Sequence, residues 1–419
     1  MTTPRRWAAH ALWPKLHAAL SMGQSMRAIA MALALLLLAA GKADADPADH
    51  ALCQQQDEKA IPACLRLIAD KTQNAQERAW GLMMLGNIRD MGGDPEGAIS
   101  DYDEALALDA GNAAIHFNRG LAWHERGDHD RAIADFSEAV GIDPTYAAAF
   151  GSRGVEWADK GDGVRAMADY DEALQLDKTN EDAYYNRGLL FHDQGDEDRA
   201  IADFTAVIAL DPAAADAYRM RGIAWRAKGN EKQALADYDA ALSAKPADLS
   251  SLFARAHTLE AAHQLDLAIA NYSAIIRLAP ENAAAYADRA GAWLQKGSLD
   301  NAVADCDEAL RHDPNNVIAL ANRGSYFAQK GDYVRAIADY DAAIRLDPKN
   351  VRLYINRGHA FAQKGDQDHA IADYTEALRL DPNNAEAYGR RGAAWQAEGE
   401  EQKAQSDLGT FKQLEAHKN

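Results

Sequence analysis

The sequence predicts an all-α solenoid of stacked helical hairpins, and three observations carry that prediction. A 34-residue unit recurs ten times without insertion or deletion, with a small residue at Gly86, Gly120, Gly154, Gly188, Gly222, Ala256, Ala290, Gly324, Gly358 and Gly392. Twelve residues further into each copy stands an alanine, from Ala98 and Ala132 through to Ala370 and Ala404. Within the copy 181–214, Tyr184, Gly188 and Phe191 form one i, i+4, i+7 stripe and Ala200, Phe204 and Val207 a second, so each half of the unit is an amphipathic helix. One hairpin cannot bury both of its faces. Ten in series can, each touching mainly its neighbours.

Residues 1–45 are different in kind. Met26 and Arg27 precede an apolar run over 28–40, and Ala43, Asp44 and Ala45 place small residues at the two positions a signal peptidase inspects. The run falls short of the ~20 residues that span a bilayer as a helix. The expectation is a secretory signal cleaved after Ala45 and a mature chain that is periplasmic or secreted. No cysteine follows the run closely enough for a lipid anchor. The 25 residues before Met26 are long for the first part of a leader, so the true start is Met22 or Met26, or else residues 1–25 carry something the sequence does not specify. The full chain has a net charge of −20; loss of Arg5, Arg6, Lys15, Arg27, Lys42 and Asp44 with the leader lowers it by four, to −24. Such a surface repels nucleic acid and anionic membrane and attracts basic partners. Nothing after residue 45 is long and apolar enough to cross a membrane.

Residues 46–78 read as a partial helical repeat that starts the stack. With Ala60 at the alanine position of the repeat, Cys53 and Cys64 fall near the inner seam of a hairpin. In an exported chain the simple reading is a disulfide. Two buried thiols, or a redox or metal pair, are the alternatives, and a gap of ten residues matches no dependable zinc motif.

From residue 79 to 418 the repeats run in frame. Gly195, able to take positive φ, and Asp196, able to cap the following helix, form the turn between the two helices of the copy 181–214. Its end is marked by Asp211 and Pro212, since proline lacks an amide and pushes its predecessor out of helical geometry. Seven copies keep that proline: Pro144, Pro212, Pro246, Pro280, Pro314, Pro348 and Pro382. With positions numbered from the start of each copy, aromatic residues favour 4, 11 and 24, small residues 8 and 20, and proline 32. This pattern resembles the tetratricopeptide repeat family over residues 79–418. The resemblance implies a right-handed superhelix with a concave groove lined by the first helix of each repeat.

Several patterns invite functional readings that the repeat explains better. Arginine fills position 7 in nine copies and an acid or amide fills position 23 in all ten. A half-buried structural pair, as between Arg187 and Asp203, accounts for these better than a ladder offered to a polyanion. Trp123, Trp157, Trp225, Trp293 and Trp395 all stand at position 11 and read as core. The Asp-x-Asp pairs Asp101/Asp103, Asp169/Asp171 and Asp339/Asp341 look like calcium ligands but lie inside helices, with no loop glycine or terminal bidentate glutamate. His129 and His369 are turn and first-turn residues. Cys306 replaces the aromatic at position 24 and reads as a buried, unpaired thiol. No nucleophile and base recur together and no strand or phosphate loop is evident, so neither enzyme activity, a cofactor nor a metal is expected.

Function therefore falls to the positions that the family uses to line its groove: 2, 5, 9, 12 and 13. Trp80, Met83 and Met91 in the first repeat, Phe117, Leu121 and His124 in the second, and Tyr185, Leu189 and His192 in the fourth make an apolar and aromatic strip suited to an extended peptide or a partner helix. The alternative is that they are only the partly covered lining of a solenoid. Arg219 and Arg226 in the fifth repeat form either an anchor for a carboxylate or a solvated pair. The family's two-carboxylate clamp is matched only at Asn118, Asn186, Asn322 and Asn356. Repeat six, with Ala256, His263, Gln264, Asn271 and Ile275, is the least regular, through drift or through a bend. The last helix, with Gln405, Ser406, Lys412 and Glu415, is polar enough to end the stack. The expected function is an exported adaptor binding segments of other proteins in an envelope or secretion assembly. A glycan-associated role in polysaccharide export or cell-wall remodelling and self-association through the end repeats are the alternatives.

Overall fold

A computed structural model describes residues 47–416, so residues 1–45, where a leader is expected, lie outside the described residues. The chain divides into two units, one running to Met220 and the other beginning at Arg221. In the first unit α1 (Pro47–Cys53), a 3-10 turn (Glu58–Ala60) and α2 (Ile61–Ala69) precede four helical hairpins. These are α3 (Ala75–Met91) with α4 (Pro95–Leu108), α5 (Ala113–Glu125) with α6 (His129–Ile142), α7 (Ala147–Asp159) with α8 (Gly163–Leu176), and α9 (Glu181–Asp193) with α10 (Glu197–Leu210). The unit boundary falls inside α11 (Ala215–Ala227), which is followed by α12 (Glu231–Ala244). The second unit continues with α13 (Leu249–Ala261) and α14 (Leu265–Leu278), α15 (Ala283–Gln295) and α16 (Leu299–His312), α17 (Val317–Gln329) and α18 (Tyr333–Leu346). It closes with α19 (Val351–Lys364) and α20 (Gln367–Leu380), then α21 (Ala385–Ala397) and α22 (Glu401–Ala416).

Seven of the ten hairpins cross where a ring meets a glycine. A Cβ added at Gly154 would lie 2.7 Å from Cε1 of Tyr170, and one at Gly120 would lie 2.6 Å from that of Phe136. Tyr102, Phe136, Tyr170, Phe204, Tyr238, Tyr272 and Tyr374, all at position 24, are fully buried. The seventh hairpin makes the complementary exchange, with Ala290 where glycine stands elsewhere and the smaller Cys306 at position 24. Cys306 is a buried free thiol, and burial pushes it up to about 12.

The turns follow the expected chemistry. Gly195 takes φ 77°, and the Asp196 carboxylate accepts from the Arg199 amide as the cap of α10. In the sixth hairpin His263 holds the same left-handed geometry at φ 55°, and Gln264 supplies no side-chain cap. Both helices of that hairpin nevertheless form, and the division of the chain lies one repeat earlier, in α11.

The arginines at position 7 do more than pair within a hairpin. Arg187 donates through Nε and Nη2 to the two oxygens of Asp203, each at 2.8 Å, and through Nη1 to Asp171 of the preceding hairpin at 2.7 Å. One guanidinium thus reaches sixteen residues forward and sixteen back. Arg119, Arg323 and Arg357 repeat the three-point arrangement with Asp103, Asp307 and Asp341 behind them, whereas Arg153 and Arg289 use Ser137 and Ser273. The second aspartate of each Asp-x-Asp pair is therefore an acceptor for the next repeat. Where Asn271 replaces the forward acid, its contact with Arg255 lengthens to 3.5 Å, while Arg255 keeps the backward pair, with Asp239 at 2.9 Å.

The tryptophans depart from the core reading. Trp123, Trp157, Trp225, Trp293 and Trp395 are only partly buried. Position 11 lies in the last turn of the first helix, so one indole face packs inward while the other meets cations near the hairpin turn. Arg165 sits 3.5 Å from the Trp157 ring centroid, Lys403 4.3 Å from that of Trp395 and Arg131 4.4 Å from that of Trp123.

Candidate partner-binding surface

Within the first unit the first helices α3, α5, α7 and α9 touch one another in sequence, and each also packs on the second helix before and after it. They form the more closely spaced layer, and their side chains at positions 5, 9, 12 and 13 are the variable ones.

The first repeat is not open. α1 packs on α3, His50 stacks on Trp80 with ring centroids 3.8 Å apart, and Gln56 donates to the Met84 sulfur at 3.3 Å. Met83 is 8 % exposed. Trp80 and Met83 are thus covered by the partial repeat, and only Met91 of that trio is left half-buried without such a cover. The Cys53–Cys64 disulfide, wholly buried, holds α1 against α2.

In the second and fourth repeats Phe117, Leu121, Tyr185 and Leu189 are half-buried. Phe117 lies 4.9 Å from Tyr146 and 5.7 Å from Phe136, and Tyr185 lies 5.7 Å edge-on to Phe204. Burial pushes the Tyr185 hydroxyl up to about 12, against the opposing pull of Arg219. Arg219 is itself engaged, donating to Asp216 at 2.8 Å with its side chain 19 % exposed. It is not an open anion anchor. Arg226 is exposed.

His124 and His192 are also committed. His192 Nδ1 lies 2.8 Å from Glu197 in the first turn of α10. His124 Nδ1 lies 2.5 Å from one oxygen of Glu156, and His129 Nδ1 lies 2.8 Å from the other. The hydrogen bond to Glu156 raises the His124 pKa. Glu156, 1 % exposed, is the residue that reading the sequence overlooked. The signal was present: position 10 is uncharged in the nine other repeats, as at Ala122, Leu190 and Ala224.

Around this cluster the lining is acidic, with Asp90 and Asp159 half-buried and Glu125 reaching solvent. Burial raises Asp90 to about 6, and Glu125 is raised to about 7 by burial and by the nearby Asp90 charge. Asp90 Oδ1 is buried without a hydrogen-bond partner. The fold keeps this proton up to about pH 6 while the unfolded chain releases it near 3.8, so the folded state binds more protons in that window and stability falls as pH rises through it. Asp90→Asn removes the dependence: it matches wild type at pH 3 and exceeds it at pH 8 by up to ~3 kcal/mol in urea denaturation. Equal stabilities at pH 8 would remove burial strain at Asp90 from the account.

A family profile described as a tetratricopeptide repeat matches residues 83–147, 185–248 and 253–317, and a second, described as a TPR repeat, matches 158–195, 324–365 and 358–399. The chain belongs to the tetratricopeptide repeat family. No curated protein matches this tetratricopeptide repeat chain. Among solved structures, that of Cut9–Hcn1 from the APC/C hetero-tetramer has TM-score 0.50 at 16 % identity, covering 87 % of this chain and 92 % of that one, a likeness of fold. The crystal structure of MamA is 27 % identical over 39 % of this chain and 95 % of its own, with TM-score 0.37. YrrB, a TPR protein with an unusual peptide-binding site, is 23 % identical over 47 % of this chain and 99 % of its own, with TM-score 0.40. Among the described residues of this tetratricopeptide repeat protein, no helix is long and apolar enough to cross a membrane.

Proposed function

We propose that this tetratricopeptide repeat protein is an exported scaffold that holds segments of other proteins against the first-helix face of its repeats, in an envelope or secretion-related assembly. The observation that carries the reading is a division of labour. The regular arginines, aspartates and position-24 rings are all engaged in packing and pairing, whereas the first-helix residues Phe117, Leu121, Tyr185 and Leu189 differ between repeats and keep part of their surface. Side chains that vary on a constant scaffold are what recognition requires. The acidic lining from Asp90, Glu125 and Asp159 favours a segment that combines basic and apolar residues. The leader at 1–45 and the Cys53–Cys64 disulfide support the exported part of the proposal.

The glycan alternative is less well supported. Phe117 and Tyr185 lie against Tyr146, Phe136 and Phe204 rather than presenting free ring faces. Parallel peptide and oligosaccharide arrays separate the two. The scaffold reading expects selective capture of basic-apolar peptides, weakened by Leu121→Ala with Leu189→Ala. Oligosaccharide binding without peptide binding would replace it.

A further inference from the structure

The buried Glu156 cluster carries an inference beyond peptide binding. Glu156 and Asp159 stand three residues apart in the last turns of α7, so their carboxylates share a face. His124, in the last turn of α5, comes to the same point from the preceding repeat. One ligand atom from each of His124, Glu156 and Asp159 lies within 4.8 Å of the other two. The hydrogen bonds of His124 and His129 go to the two Glu156 oxygens, and neither goes to the Asp159 carboxylate. His192 and Glu197 show the plain alternative: a histidine that bonds one glutamate inside one hairpin.

We propose that His124, Glu156 and Asp159 form a binding site for a divalent first-row transition-metal ion of the zinc class, joining the second repeat to the third. One imidazole and two carboxylates are a borderline donor set, suited to zinc rather than to the all-oxygen shells of magnesium or calcium. Tetrahedral coordination at about 2.0–2.1 Å sets ligand atoms about 3.4 Å apart. That value lies between the 2.5 Å from His124 to Glu156 and the 4.8 Å bound on the trio, so small side-chain movements close the site. Turning the His124 tautomer so that its Nδ1 lone pair faces the ion frees the position now filled by its hydrogen bond. His129 is then a positioning residue: it holds the second oxygen of Glu156 at 2.8 Å and fixes the carboxylate, as outer partners of metal ligands do. Three protein ligands leave one coordination position for water or for a side chain of a bound segment. His124 and Glu156 are 32 residues apart, which is why no linear motif announced the site.

The test uses the mature chain, stripped of metal and titrated calorimetrically with zinc chloride at pH 7.5, with magnesium and calcium chloride in parallel and circular dichroism to confirm folding. The expected result is one equivalent of zinc bound, with no saturable response to magnesium or calcium. Asp159→Asn and His124→Ala abolish this binding, and His129→Ala weakens it about 10- to 100-fold. Asp159 is half-exposed, so its variant decides the matter even where His124→Ala fails to fold. Absence of one-to-one binding, zinc binding unchanged in Asp159→Asn, or equal binding of calcium would each overturn the proposal. The chain has 13 histidines, so weak zinc uptake that persists in Asp159→Asn counts as adventitious and against it.

Discussion

Replacing Arg187 with alanine lowers the stability of the chain by about 3–5 kcal/mol. The size follows from what is left behind. Asp203 is 5 % exposed and loses both of its bidentate bonds at once, so a carboxylate remains buried without its cation. The third bond, to Asp171, contributes little by itself because that carboxylate is half-exposed to solvent. Asp171→Asn is therefore expected to cost under about 1 kcal/mol, and Asp203→Ala to approach the arginine deletion. Urea or thermal denaturation of the three variants checks the ordering. A melting temperature for Arg187→Ala equal to wild type would show that the fork is not supporting the hairpin. The same guanidinium touches two adjacent hairpins, so its loss also weakens the coupling on which the cooperativity of a repeat array depends.

Removing the Cys53–Cys64 bridge, as Cys53→Ser with Cys64→Ser, costs about 3 kcal/mol for a loop of this length. The two cysteines are 11 residues apart. The effect is expected to be local. α1 holds its place through the bridge, the stacking of His50 on Trp80 and the Asp49–Arg66 pair, so its release exposes Trp80 and Met83. Hydrogen exchange in α3 rises in the double variant while exchange in α9 stays at the wild-type level. Unchanged protection across α3 would mean that the partial repeat does not cap the stack.

How much of this could be read from the sequence depends on whether a feature recurs. The hairpins, their glycine turns and the pairing of position 7 with position 23 were legible because ten aligned copies state them repeatedly. The backward reach of each arginine was not: its acceptor is Asp103, Ser137, Asp171 or Ser273, and no single residue type marks the position. The tryptophans were half legible, since a helical stripe says that a side chain faces a neighbour and not that a cation covers its other face. Single events were the hardest to see. Glu156 occurs at its position in one repeat alone, and its partners His124 and His129 come from another hairpin. The cover over Trp80 and Met83 comes from a partial repeat whose register rests on one alanine and two cysteines. Arg219 looked free because its partner, Asp216, stands three residues away on its own helix, where an acid has no reason to attract notice.

The central claim is that partners engage the first-helix face of the repeats. It is tested most directly by placing a photoactivatable crosslinking side chain at Leu121 or Leu189, on α5 and α9, and in parallel at Val164, which is 83 % exposed on α8. Crosslinked partners are then identified from the envelope fraction. The account predicts that the same partner is captured from Leu121 and Leu189 and not from Val164. Capture from Val164 with none from the two leucines would place recognition on the second helices and contradict it.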